Sequence, residues 1–178
     1  MAKKLILAIG AHCGDVEITT GAVLAKEKKY KSDIAILHMT LGERGHKKLH
    51  PLKYAEQKKK EALEAGKVLG AEVIFGPYGD GELPNNEEAV KFVSEVIRRL
   101  KPTHIITHWR RSIHKDHAYT HTISMDGTLL SVLEGVKSEF TPNKNFKGIY
   151  FTENWEDMDE FTPYIYYDIS DTINDWER

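Results

Sequence analysis

Residues 4–15, Lys4-Leu-Ile-Leu-Ala-Ile-Gly-Ala-His-Cys-Gly-Asp15, run from unbroken apolar side chains into a glycine-bearing turn set with His12 and Asp15. A short continuous apolar run, without the alternation of a half-exposed strand, is the form of a parallel strand covered on both faces. Lys4 to Ile9 is therefore read as the first strand. Lys3 and Lys4 faintly imitate a secretion signal, but the run ends at Gly10-Ala11-His12 and an acid soon follows, so a buried strand explains it better.

Outward from this strand the pattern repeats. Asp15 and Glu17 place acids where a helix dipole favours them, ahead of a helix over Ile18 to Tyr30. Asp33 to Met39 is a second strand, and Leu52 to Leu69 an amphipathic helix closed by Gly70. Glu72 to Phe75 is a third, followed by the Gly/Pro/Asp-rich segment Gly76 to Pro84 and a helix capped by Asn85 or Asn86 and running to Leu100. Lys101-Pro102 breaks that helix; His104 to Thr107 is a fourth strand and Asp116 to Leu133 its helix. Two more strand candidates, Gly148 to Thr152 and Pro163 to Ile169, flank an acidic loop over Glu153 to Glu160. Such alternation implies a Rossmann-like α/β fold, a three-layer sandwich around a mostly parallel sheet with right-handed crossovers. No repeat or composition shift marks a second unit, so residues 1–178 are expected to form a single domain. Ser170 to Arg178 read as a helix barely begun, as if the chain were trimmed or frayed there.

Composition narrows the function. A chain of 178 residues buries roughly 70% of its unfolded surface and needs no metal merely to fold, so any metal is functional. Lys+Arg 25 against Asp+Glu 27 gives a charge of −2, without the broad cationic field of a nucleic-acid binder. The lysine runs at Lys28-Lys29 and Lys58-Lys59-Lys60 read as solvated helix faces, and Gly10, Gly14 and Gly21 do not spell G-x-G-x-x-G. No nucleic-acid partner is expected. The single cysteine, Cys13, allows no intramolecular disulfide and points to the cytoplasm, and no apolar run approaches a membrane span of roughly 18 residues.

In open α/β sheets, sites form beyond the carboxyl ends of the strands, where strand order reverses. Here Ala11 to Asp15, Thr40 to Gly45, Gly79 to Glu82 and His108 to His117 all follow strands. With the order 3-2-1-4, His12 and Asp15 would face His114, Asp116 and His117. Five of the nine histidines lie within the eighteen residues from His104 to His121, and histidine also fills core and capping roles. Imidazole and carboxylate donors suit zinc, with three protein ligands and an open position; His12, Asp15 and His117 would supply them. Cys13 at a helix start is a candidate nucleophile, but a small buried residue is the simpler reading. His121, four residues after His117, is assigned to the helix face; His46 and His50 to a solvated loop; and Trp109 either to a sugar-stacking or a structural role.

These residues resemble the zinc-dependent N-acetylglucosaminyl deacetylases of the PIG-L/LmbE type. The family's Ala-His-Pro-Asp-Asp-Glu appears as Ala11-His-Cys-Gly-Asp-Val-Glu17 and its Thr-x-Gly-Glu-x-Gly as Thr40 to Gly45. Its basic-x-x-Glu leading to Leu-Gly appears as Lys58-x-x-Glu61 and Leu69-Gly70, its Asp-Gly as Asp80-Gly81, and its His-x-Asp-His as His114-Lys-Asp-His117. The resemblance implies that His12, Asp15 and His117 hold a divalent ion, foremost Zn2+, and that His114 assists the oxyanion with Asp116 as its partner. It puts Arg44, Lys58 and Asp80 on the substrate. The implied reaction is removal of an N-acyl group, foremost acetyl, from a small-molecule amino sugar or GlcNAc-containing glycoside, with homo-oligomerisation left open.

Two departures matter. Cys13 replaces the family's proline, and Gly14 stands where the resemblance places the general base. Asp116, and after it Glu17, are the carboxylates that would replace it. General-base assistance is worth roughly 10²–10⁴-fold, so the rival reading is a degenerate, metal-containing sugar-binding or regulatory protein.

Overall fold

The computed structural model describes residues 3–154, 156 and 160–177. Strands β1 (Leu5–Gly10), β2 (Asp33–Thr40), β3 (Ala71–Tyr78), β4 (His104–His108) and β5 (Gly148–Thr152) form one all-parallel sheet in the order β3-β2-β1-β4-β5. The helices are α1 (Asp15–Thr19), α2 (Gly21–Lys29), α3 (Pro51–Leu69), α4 (Glu87–Leu100), α5 (Lys115–Val132) and α6 (Ile173–Trp176). The direction of strand addition reverses between β1 and β4, so the carboxyl ends of these neighbours open the cleft such folds use.

Alternation along the strands divides the apolar side chains between two layers of helix. Leu7, Ile9, Leu37, Met39 and Ile105 pack with Val93 and Ile97 of α4 and Ile123 of α5. Ile6, Ala8, Ile36 and Ile106 face the other way, onto Val16, Leu24, Ala25 and Leu69 of α1 to α3. Both faces are covered, which is why the strands read as unbroken apolar runs. Among the described residues no helix is long and apolar enough to cross a membrane.

Three boundaries differ from the sequence reading. The helix expected over Ile18 to Tyr30 is two helices separated at Thr20 (φ −130°, ψ −17°), the first starting at Asp15. The Trp176 indole N–H donates to the Glu17 carbonyl (2.7 Å), the acceptor an unbroken helix would offer to residue 21. The same ring packs so close to Gly21 that a Cβ there would lie 2.8 Å from it. β3 continues through Gly76 and Pro77, because an edge strand tolerates proline and Gly76 lets the Met39 carbonyl approach to 2.4 Å of where a Cβ would be.

Pro163 to Ile169 is not a strand. It crosses α2, with the Tyr167 hydroxyl donating to Glu27 (2.6 Å) and the Lys26 ammonium to the Asp168 carbonyl (2.5 Å), and leaves Tyr164 and Tyr166 exposed. Backbone ladder contacts are thereby replaced by side-chain contacts to a helix. The loop over Glu153 to Glu160 lies partly outside the described residues, as does Arg178.

Candidate metal centre and active site

Turns at the carboxyl edge of the sheet deliver the polar groups. His12 lies between β1 and α1, Asp15 opens α1, Asp80 follows β3, and His114 caps α5, whose first turn carries Asp116 and His117. α5 is not amphipathic in the usual sense, because its buried side is polar: Asp116, His117, Thr120, Ser124, Thr128 and Ser131 alternate with Ile123 and Gly127. That buried polarity has a local purpose at its N-terminal end.

There, three ligand atoms form a near-equilateral triangle. His12 Nδ1 is 3.2 Å from Asp15 Oδ2 and 3.2 Å from His117 Nε2, and His117 Nε2 is 3.4 Å from Asp15 Oδ2. A tetrahedral zinc ion with bonds of about 2.0–2.1 Å has ligand–ligand edges of about 3.3–3.4 Å, so the donor spacing fits one face of such a site. Overlapping groups able to hold an ion surround the triangle: His12, His114 and His117; His12, Asp80, His114 and Asp116; and Asp15, His108 and His117. His12 Nε2 is buried without a hydrogen bond although Asp80 Oδ1 (3.2 Å) and Asp116 Oδ2 (3.4 Å) lie close, and Asp116 Oδ1 is likewise buried and unbonded.

The electrostatics follow from this crowding. Burial opposes charge on His12, but Asp116, Asp15 and Asp80 overcome it and lift its pKa to about 11. Burial would also raise the Asp15 carboxyl; His108, His117 and His12 hold it well below the usual carboxylate range. Asp116 is lowered as well, by His12 and the Gly81 N–H (2.7 Å) acting against burial. His114 moves the other way, pushed down by burial and by the neighbouring His12 and His117. Its Nδ1 accepts from the Asp116 backbone N–H (3.3 Å), which leaves the ring proton on Nε2 as a donor. The backbone of Asp116, rather than its carboxylate, thus orients His114.

Two supporting residues were not singled out in the sequence. His108, at the end of β4, accepts from the Ala11 N–H at Nε2 (3.0 Å), and its Nδ1 meets Asn154 Oδ1 (2.7 Å). Since the Asn154 amide N–H donates to the Arg111 carbonyl (2.7 Å), its oxygen must accept, and the His108 proton sits on Nδ1. The Nε2 lone pair is then engaged by Ala11, and His108 backs His117 as a stacked ring (4.3 Å between centroids) instead of serving as a ligand. Glu156 Oε2 lies 3.3 Å from His117 Nδ1, the ring nitrogen opposite the one in the triangle, which also meets the Ser112 hydroxyl at 3.3 Å. A histidine in the cluster and an acidic loop were visible, but nothing in the spacing joined them.

The remaining candidates are placed as follows. Asp80 abuts His12, and its Oδ2 accepts from the Arg44 backbone N–H (2.9 Å), while the Arg44 guanidinium is exposed and paired with Glu82. Lys58 reaches from α3 to the turn at Gly14, with Glu61 at 3.4 Å. Glu17 is committed beneath that turn, accepting from the Gly14 N–H (3.1 Å) with His38 at 3.4 Å, so of the two replacement bases only Asp116 reaches His12. Cys13 is buried; burial, reinforced by Glu17, pushes its thiol up to about 12, which removes the nucleophile reading. His121 binds the His108 carbonyl (2.9 Å), and His50 caps α3. Trp109 sits edge-on to Phe151, Phe161 and His121, beneath the Arg110 guanidinium.

Comparison with known proteins shows the family. The PIG-L profile, described as GlcNAc-PI de-N-acetylase, matches residues 7–127. The chain belongs to the PIG-L family. A curated relative, 4-oxalmesaconate hydratase of Pseudomonas putida, is 23% identical over 146 residues, covering 76% of this chain and 55% of the relative; the chain thus spans little more than half of that protein. A conserved protein of Thermus thermophilus superposes with a TM-score of 0.84 at 26% identity, over 97% of this chain and 75% of its own. The N,N'-diacetylchitobiose deacetylase of Pyrococcus horikoshii does so with a TM-score of 0.85 at 21% identity, over 98% and 67%, a likeness of fold.

Proposed function

We propose that the protein is a metal-dependent hydrolase that removes an N-acyl group, foremost acetyl, from an amino sugar or GlcNAc-containing glycoside, acting in the cytoplasm on a small molecule. One observation carries the reading: the triangle of His12, Asp15 and His117, with edges of 3.2–3.4 Å, set at the β1/β4 switch point beside Asp116, Asp80 and His114. These donors, two imidazole nitrogens and one carboxylate oxygen, fit a divalent cation of the zinc class. When bound, such an ion supplies Lewis acidity toward an acyl oxygen and acidifies water.

The chain's own residues supply the rest. Asp116, held ionised and fixed by the Gly81 N–H, has a spare buried oxygen to accept the proton of an attacking water. His114, neutral with its proton on Nε2, donates to the oxygen on which charge develops. His108 and Glu156 hold the rings of the site in register.

A second reading is supported by Gly14 together with the hydratase relative: adding water across a polarised carbon–carbon double bond uses the same water-activating groups but no amide leaving group. The degenerate-protein reading cannot be tested by restoring an acid at Gly14, because φ of +113° there strains any side chain. The better experiment is Asp116→Asn. If Asp116 is the base, turnover of an N-acetyl sugar substrate falls by roughly 10²–10⁴-fold while bound metal is retained. Unchanged turnover would remove Asp116 from the mechanism.

A further inference from the structure

The turn at Gly14 presents a cation where the family motif presents an acid. A Cβ built on Gly14 would lie 3.4 Å from Lys58 Nζ and, its chain neighbours aside, within 4 Å of no other described atom. The Lys58 side chain is only 18% exposed. An ammonium so enclosed calls for a counter-ion, and the acids nearby are engaged elsewhere. Glu17 accepts from the Gly14 N–H (3.1 Å) and lies 3.4 Å from His38; Asp15 accepts from the His12 N–H (2.8 Å) and lies against the His12 and His117 rings; and Asp80 accepts from the Arg44 N–H (2.9 Å) beside His12. Cys13 turns its thiol to the Thr40 carbonyl (3.8 Å). What remains for Lys58 is Glu61 at 3.4 Å, a half-exposed partner one helical turn away, of the kind worth little.

We propose that Lys58 and the space left by Gly14 form a subsite for a substrate carboxylate, beside the His12, Asp15 and His117 cluster. This rests on the same site as the proposed function and names a class of substrate for it: compounds that carry a carboxylate close to the group being attacked. A monoanion fits better than a phosphate, because one ammonium is offered amid Glu17 and Glu61, which repel a second negative charge. Aspartate at position 14 would neutralise Lys58; glycine leaves the ammonium for the ligand.

The test compares two probes that differ only in the carboxylate, N-acetylglycine and N-acetylglycinamide, by calorimetry on zinc-loaded protein whose metal content is measured in parallel. The acid should bind at least about tenfold tighter than the amide, Lys58→Met should bring the two within about twofold without loss of zinc, and Lys58→Arg should keep the preference. A native protein with no preference, or a preference that persists in Lys58→Met because the acid sits on the ion itself, overturns the subsite. Failure of the metal reading shows separately, as protein that takes up no zinc.

Discussion

Gly14 adopts φ +113°, a region that favours glycine, and it is the residue on which the chain departs most from the motif it resembles. Gly14→Ala should cost about 1–2 kcal/mol in urea unfolding through backbone strain alone; a neutral result would mean that the turn relaxes freely. The histidines around it were legible as a group, because strand ends and i+3 spacing bring His12, His114 and His117 to one edge. Their individual jobs were not. Only coordinates distinguish His108, whose Nε2 is taken by the Ala11 N–H, from His117, whose Nε2 points into the cluster. For the same reason Asp80, expected on substrate, was not foreseen 3.2 Å from His12. His108→Phe should keep the stacked ring but strand the Ala11 N–H and the Asn154 oxygen, costing about 1–3 kcal/mol and weakening zinc binding; unaltered affinity by competition with a chelator would show that His108 only fills space.

Among the elements, those with a complete local signal were read correctly and those settled by tertiary contact were not. Asn86 caps α4 by accepting from the Ala89 N–H (3.0 Å), Gly70 ends α3 in the left-handed conformation (φ 64°), and the continuous apolar strands mark a sheet covered on both faces. The break at Thr20 depends on Trp176, which is remote in sequence, and Pro163 to Ile169 is drawn across α2 instead of joining an edge of the sheet. No local periodicity encodes such contacts. α4 and α5 cross closely at Gly127, where a Cβ would lie 2.9 Å from Val93 and 3.2 Å from the Val90 carbonyl. Gly127→Val should therefore lower stability by about 1–3 kcal/mol through overpacking, despite valine's better helix propensity than glycine's; thermal unfolding with an unchanged midpoint would show that the crossing is looser than described.

At the scale of the whole molecule, one edge of the sheet brings buried carboxylates and imidazoles together, and pH should expose it. In the metal-free chain the His12 pKa is raised from 6.5 to about 11, so its contribution to stability is full below pH 6.5 and is lost as pH rises toward 11. Asp15 is lowered below 3.8, so its contribution is present above that pH and lost as pH falls through its folded value. Metal-free protein should thus be most stable between about pH 4 and 6.5 as far as this site decides. Because a cation must displace the His12 proton, apparent zinc affinity should climb with pH through the neutral range, with proton release on binding. A flat affinity profile would mean that His12 is not a ligand.

Everything functional proposed for the chain depends on the His12, Asp15 and His117 triangle holding an ion. The direct test is elemental analysis of gently purified protein beside an Asp15→Ala variant shown by circular dichroism to be folded. Close to one divalent ion per native chain, and its loss in the variant, is the predicted result. A native chain that takes up no ion after incubation with zinc, or a folded variant that holds as much as the native chain, would contradict it.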